Sequence, residues 1–75
     1  MITDKLVMMA NQIAANNNYL ADDAAAKTVA THIKQFWTPQ MRQELEQVAH
    51  ASAADAGSPE DPLSPVVREA LTQLH

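Results

Sequence analysis

The sequence predicts an all-α protein, a small three- to four-helix bundle, on three observations. Alanine, leucine, glutamine, lysine and glutamate dominate the apparent element interiors, and Gly57 is the single glycine, so local propensity favours helix almost throughout. The β-branched alternation a strand needs is missing. Apolar residues recur instead at helical spacing, predicting helices at about 4–16, 23–37, 39–55 and 65–74, with a connector at about 56–63, in one domain over residues 1–75.

In the first helix Thr3 is the expected N-cap, and Asp4 suits the positive end of the helix dipole. At about 100° per residue Leu6, Met9 and Ile13 share one face with Ala10 and Asn17 close by, whereas Met8 projects nearly opposite. Asn16-Asn17-Asn18 should end this helix, because short amide side chains compete for backbone hydrogen bonds and tolerate left-handed geometry. Asp22 or Asp23 can cap the second helix, in which Ala26, Val29, Ile33, Phe36 and Trp37 form one broad apolar stripe.

Thr38-Pro39 both stops and starts a helix. Proline lacks a backbone donor and disfavours helical geometry before it, while a threonine cap with proline at the first helical position opens the next helix. Met41, Leu45, Val48 and Ser52 share a face of this third helix, expected to end near Asp55. The following Ala-Gly-Ser-Pro-Glu-Asp-Pro run reads as a solvated, mobile connector with two acids and no base. Ser64-Pro65 repeats the cap-plus-proline device, and Val67, Ala70, Leu71 and Leu74 line a short fourth helix. The expected core is therefore Leu6, Met9, Ile13, Val29, Ile33, Phe36, Leu45, Val48, Val67 and Leu71. No solenoid-type repeat is present.

A chain of 75 residues buries only roughly 60% of its unfolded surface, and a core of this size supplies about 3–5 kcal/mol. With no cysteine there is no disulfide or thiolate-bound metal to add to it, so a partner is expected to contribute stability. The formal net charge is −4, and the five bases are scattered, which argues against nucleic acid and against a helix-turn-helix regulator. No apolar run reaches the roughly 20 residues of a membrane span, and no basic segment precedes an apolar one at the N-terminus, so a cytoplasmic location is expected.

Nothing in the sequence predicts catalytic, cofactor-binding or metal-binding residues. His32, His50 and His75 lack a second ligand at metal spacing, and His32 reads as a partly buried histidine beside the second stripe. Asp22 and Asp23 serve as cap residues, and Glu44 and Glu46 point about 200° apart. Ser52, Ser58 and Ser64 have no positioned base, and one glycine builds no phosphate cradle. Phe36 and Trp37 have two readings that hold together: core residues by default, with Phe36 inward, and Trp37 as a half-exposed interface anchor near Arg42. Arg42 is expected to pair with Glu46 or with a partner carboxylate. The candidate partner-binding residues are Trp37, Pro39, Met41, Arg42 and Met8. Val7, Met8 and Val66 lie off the core stripes and mark a partner site only if they merge into one patch.

Two strings resemble the signature blocks of a known family: Lys5-Leu6-Val7-Met8-Met9-Ala10-Asn11-Gln12-Ile13-Ala14 and His32-Ile33-Lys34-Gln35-Phe36-Trp37-Thr38-Pro39-Gln40-Met41-Arg42. A weaker third block, Leu63-Ser64-Pro65-Val66-Val67-Arg68-Glu69-Ala70-Leu71, is similar to its C-terminal helix. The family is the delta subunit of soluble, NAD-dependent, molybdenum-containing formate dehydrogenases. The chain departs from it after Ala15, where Asn16-Asn17-Asn18-Tyr19 stands in place of phenylalanines. The resemblance implies a non-catalytic accessory subunit that binds no cofactor itself and supports assembly or stability of the catalytic alpha subunit, with self-association left open. It implies a cytoplasmic complex carrying molybdenum pterin, iron–sulfur clusters and FMN, which oxidises formate to carbon dioxide and reduces NAD⁺. The alternative is a transient assembly chaperone absent from the finished enzyme. The acidic helix starts, Asp4 and Asp22-Asp23, argue against a carrier of the anionic cofactor.

Overall fold

The first helix, α1, spans Ile2–Asn16 in the computed structural model, which describes residues 2–74; the Thr3 side chain and His75 lie outside the described residues. Because α1 already includes Ile2, Asp4 falls in its first turn. Its buried line is Leu6, Ala10 and Ala14, spaced by four, with Val7 and Ile13 half-buried beside it. Met9 was expected in the core and is 39% exposed, because it projects about 100° round the helix from Ala10. The asparagine turn closes by hydrogen bonding: the Asn17 side-chain amide donates to the Ile13 carbonyl at 2.8 Å. Left-handed backbone plays no part, since Gly57 alone among the described residues has positive φ.

Helix α2 spans Asp22–Phe36 and buries Ala25, Ala26, Val29, Ala30 and Ile33. Its N-cap is Ala21 rather than an aspartate, and Asp22 and Asp23 sit in the first turn, where the dipole favours carboxylates. The helix ends at Phe36. Trp37 adopts extended geometry, φ −95° and ψ 142°, while its N–H still donates to the Ile33 carbonyl at 2.9 Å. Helix α3, Pro39–Ala51, opens with the Thr38 hydroxyl accepting from the Met41 N–H at 3.2 Å and Pro39 in the first turn. It stops before Asp55: Ser52 leaves helical geometry at φ −107° and ψ 18°, its hydroxyl donating to the Val48 carbonyl at 2.6 Å, and a 3-10 turn, Ala53–Asp55, follows. Helix α4, Pro65–Thr72, begins the same way, with the Ser64 hydroxyl accepting from Val67 at 3.2 Å.

The four α-helices, with no strand among the described residues, pack around Val29, Ile33, Leu45 and Val67, all fully buried. Helix α2 lies most extensively on α4, and α1 touches each of the other three helices. Leu6 and Leu71 are buried with them, while Ile13, Val48, Met41 and Leu74 pack half-buried at the margin. Of the two aromatics expected in the core by default, Trp37 is buried, only 6% exposed, whereas Phe36, expected inward, is 70% exposed. Phe36 shares its flank with His32, also exposed, where no neighbouring element covers the end of α2. Trp37 continues the line of Val29 and Ile33, spaced by four, and stays buried with them although its own backbone has turned extended.

The connector is exposed at residues 56, 57, 59, 60 and 62, as a solvated segment should be, but its C-terminal end is held down. The Asn11 amide grips it from α1, donating to the Pro62 carbonyl at 2.9 Å and accepting from the Ser64 N–H at 3.0 Å. Leu63, between those contacts, is buried in the core. Gly57 turns the chain at φ +79°, a conformation an L side chain resists.

Candidate partner-binding site

The predicted partner-binding residues fall in different settings. Trp37 lies in the core, Met41 packs half-buried against it, and Arg42 is half-buried, whereas Pro39 and Met8 are exposed, Met8 by 71%. Arg42 and Pro39 line a shallow depression of about 220 Å³ with Gln43, Glu46 and Leu74. Val7 and Val66 pack half-buried against the core, so they form no exposed patch with Met8.

Phe36 and His32 are the outward aromatic pair, their rings 4.8 Å apart between centroids and tilted by 42°. Their flank of α2 bounds an open depression of about 370 Å³. A second depression, about 470 Å³, lies between the end of α3 and α4 over Ala49, Ala53 and Leu71.

The strongest electrostatic feature joins Arg68 on α4 to Asp61 in the connector. The guanidinium donates from Nε to one Asp61 oxygen at 2.6 Å and from Nη2 to the other at 2.8 Å. It also donates to the carbonyls of Ala49 and Ser52, each at 3.0 Å, and to the Ser52 hydroxyl at 2.8 Å. Arg68 thereby closes the C-terminal end of α3, whose last carbonyls have no partner in the helix. The hydrogen bond from Arg68 holds the Asp61 carboxyl well below its ordinary pKa; burial opposes this, and the N–H groups of Leu63 and Gly57 reinforce it. Asp61 in turn raises the pKa of Arg68.

Sequence reasoning missed Asn11, Asp61 and Arg68 as organisers. The one local signal was Asp61 itself, whose carboxylate accepts from the N–H two residues on, a turn that aspartate favours. Among the described residues no three histidine, cysteine, aspartate or glutamate side chains group to hold a metal ion, and no helix is long and apolar enough to cross a membrane.

Fold and surface together define a small helical protein whose bound-up polar side chains tie its own backbone and which exposes the large apolar side chains Met8, Tyr19 and Phe36. The chain belongs to the family described as NADH-dependent formate dehydrogenase delta subunit FdsD, whose sequence model matches residues 5–71. The match covers the first two blocks that carried the resemblance in full and extends to the end of the third. Neither a curated protein nor a solved structure matches the chain.

Proposed function

We propose that this chain is a non-catalytic accessory subunit of a cytoplasmic NAD-dependent molybdenum formate dehydrogenase, docking on the catalytic alpha subunit and supporting its assembly or stability. The observation that carries the reading is the family match over residues 5–71. Chemistry is assigned to the other subunits, which in this reading hold the molybdenum pterin, iron–sulfur clusters and FMN; the chain has no cysteine to ligate a cluster. Pro39, Arg42 and Met8 are the proposed surface contacts, with Met41 at the margin and Trp37 fixing the corner from beneath.

The test is co-purification. A tagged chain expressed with the dehydrogenase subunits should be retained at a fixed ratio with active enzyme, and its deletion should lower the yield of assembled alpha subunit. Arg42→Ala should weaken that retention. Association with immature alpha subunit that disappears from active enzyme would instead establish the transient chaperone. No association at either stage would overturn the proposal.

A further inference from the structure

The longest stretch without a carboxylate runs from Ala24 to Gln43 and contains Lys27, Lys34 and Arg42. It carries +3, whereas the rest of the chain, with all nine acids and the other two bases, carries −7. Within it Phe36 is 70% exposed, its ring against the exposed His32 imidazole at 4.8 Å. The depression they bound is otherwise lined by Lys27, Thr28, Thr31 and Gln35, so no carboxylate faces it.

Scattered apolar residues on a surface are ordinary. Phe36 differs in being an aromatic ring braced by a neighbour, which lowers the ordering cost of docking, and in being set in the acid-free part of an acidic molecule. An acidic partner is repelled by the net −7 of the remainder and attracted by the +3 of this stretch, so charge biases its orientation toward this face. We infer that Phe36 anchors a docking surface for a partner protein presenting an apolar socket rimmed by carboxylates, with Lys27 reaching the rim. The inference rests on the accessory-subunit reading, under which the socket belongs to the dehydrogenase.

The test measures binding of the purified chain to dehydrogenase prepared without it, at low and high salt. The variants are Phe36→Ser and Lys27→Glu, with Tyr19→Ser as control, since Tyr19 is 77% exposed and precedes the opposite end of α2. All three side chains are exposed, and circular dichroism melts confirm that each variant folds. Phe36→Ser should weaken binding by at least about 30-fold, the loss typical of a central interface anchor. Lys27→Glu should weaken it about 5- to 10-fold and flatten its salt dependence, and Tyr19→Ser should change it less than about twofold. Equal binding by wild type, Phe36→Ser and Lys27→Glu would overturn this surface while leaving the accessory role intact. Absence of wild-type binding would overturn the accessory role itself. Self-association abolished by Phe36→Ser, or tight binding of a single-stranded oligonucleotide to the same face, would assign the surface to a different occupant and overturn the inference.

Discussion

Replacing Trp37 by alanine empties a site that is 6% exposed within the core cluster, a change that costs about 3–5 kcal/mol in well-packed interiors. A core of this size supplies about the same amount, so Trp37→Ala should be largely unfolded in isolation by circular dichroism. Phe36→Ala, one residue earlier, removes a 70% exposed ring and should shift stability by no more than about 0.5 kcal/mol. Asp61 titrates in the opposite setting to most surface acids. Its folded pKa lies below its ordinary value of 3.8, so its contribution is complete above that pH and is lost as pH falls below it. Asp61→Asn should therefore melt lower than wild type at pH 7, and the gap should narrow on acidification below about pH 4 in thermal melts.

Helices α3 and α4 begin at Thr38-Pro39 and Ser64-Pro65, where side-chain acceptor and fixed proline φ act within three residues. Such starts were legible in the sequence because all the physics is local. The buried line of α1 was legible only in part, since periodicity gives an arc while the crossing of neighbouring helices decides how much of it is covered; Met9 fell outside. At the α2–α3 corner, Phe36 and Trp37 straddle a helix end: the spacing of four from Val29 and Ile33 describes Trp37, whereas Phe36, at the margin of the stripe on the last helical residue, is left uncovered. The connector was legible as an exposed segment, but its tethering was not. Its partners are Asn11, 51 residues away in sequence from Pro62, and Arg68 on the next helix, and polar contacts across such separations leave no pattern in composition. Asn11→Leu removes both of its hydrogen bonds to the connector at similar size, and should speed hydrogen exchange at the Ser64 amide while leaving α2 protected.

The molecule has a Cα radius of gyration of 11.1 Å, against roughly 11.3 Å expected for a folded chain of its length, so the tethered connector adds no loose mass. Helix α2 lies most extensively on α4, and both bury small side chains, Ala25, Ala26 and Ala30 on one and Ala70 on the other. A chain cut after Gly57 loses α4, the principal neighbour of α2, together with the Arg68 closure of α3 and the Asn11 contacts. It should show little cooperative melting. The Asn11 grip also bears on the order of events in synthesis. Its hydrogen-bonding partners are translated some fifty residues after it, and the face of α2 waits as long for α4. While the chain emerges from the ribosome, its earlier helices carry uncovered apolar stripes and no native long-range hydrogen bonds to α4 or the connector. Contacts among α1, α2 and α3 can form earlier, but the native core closes only once residues 65–72 are released.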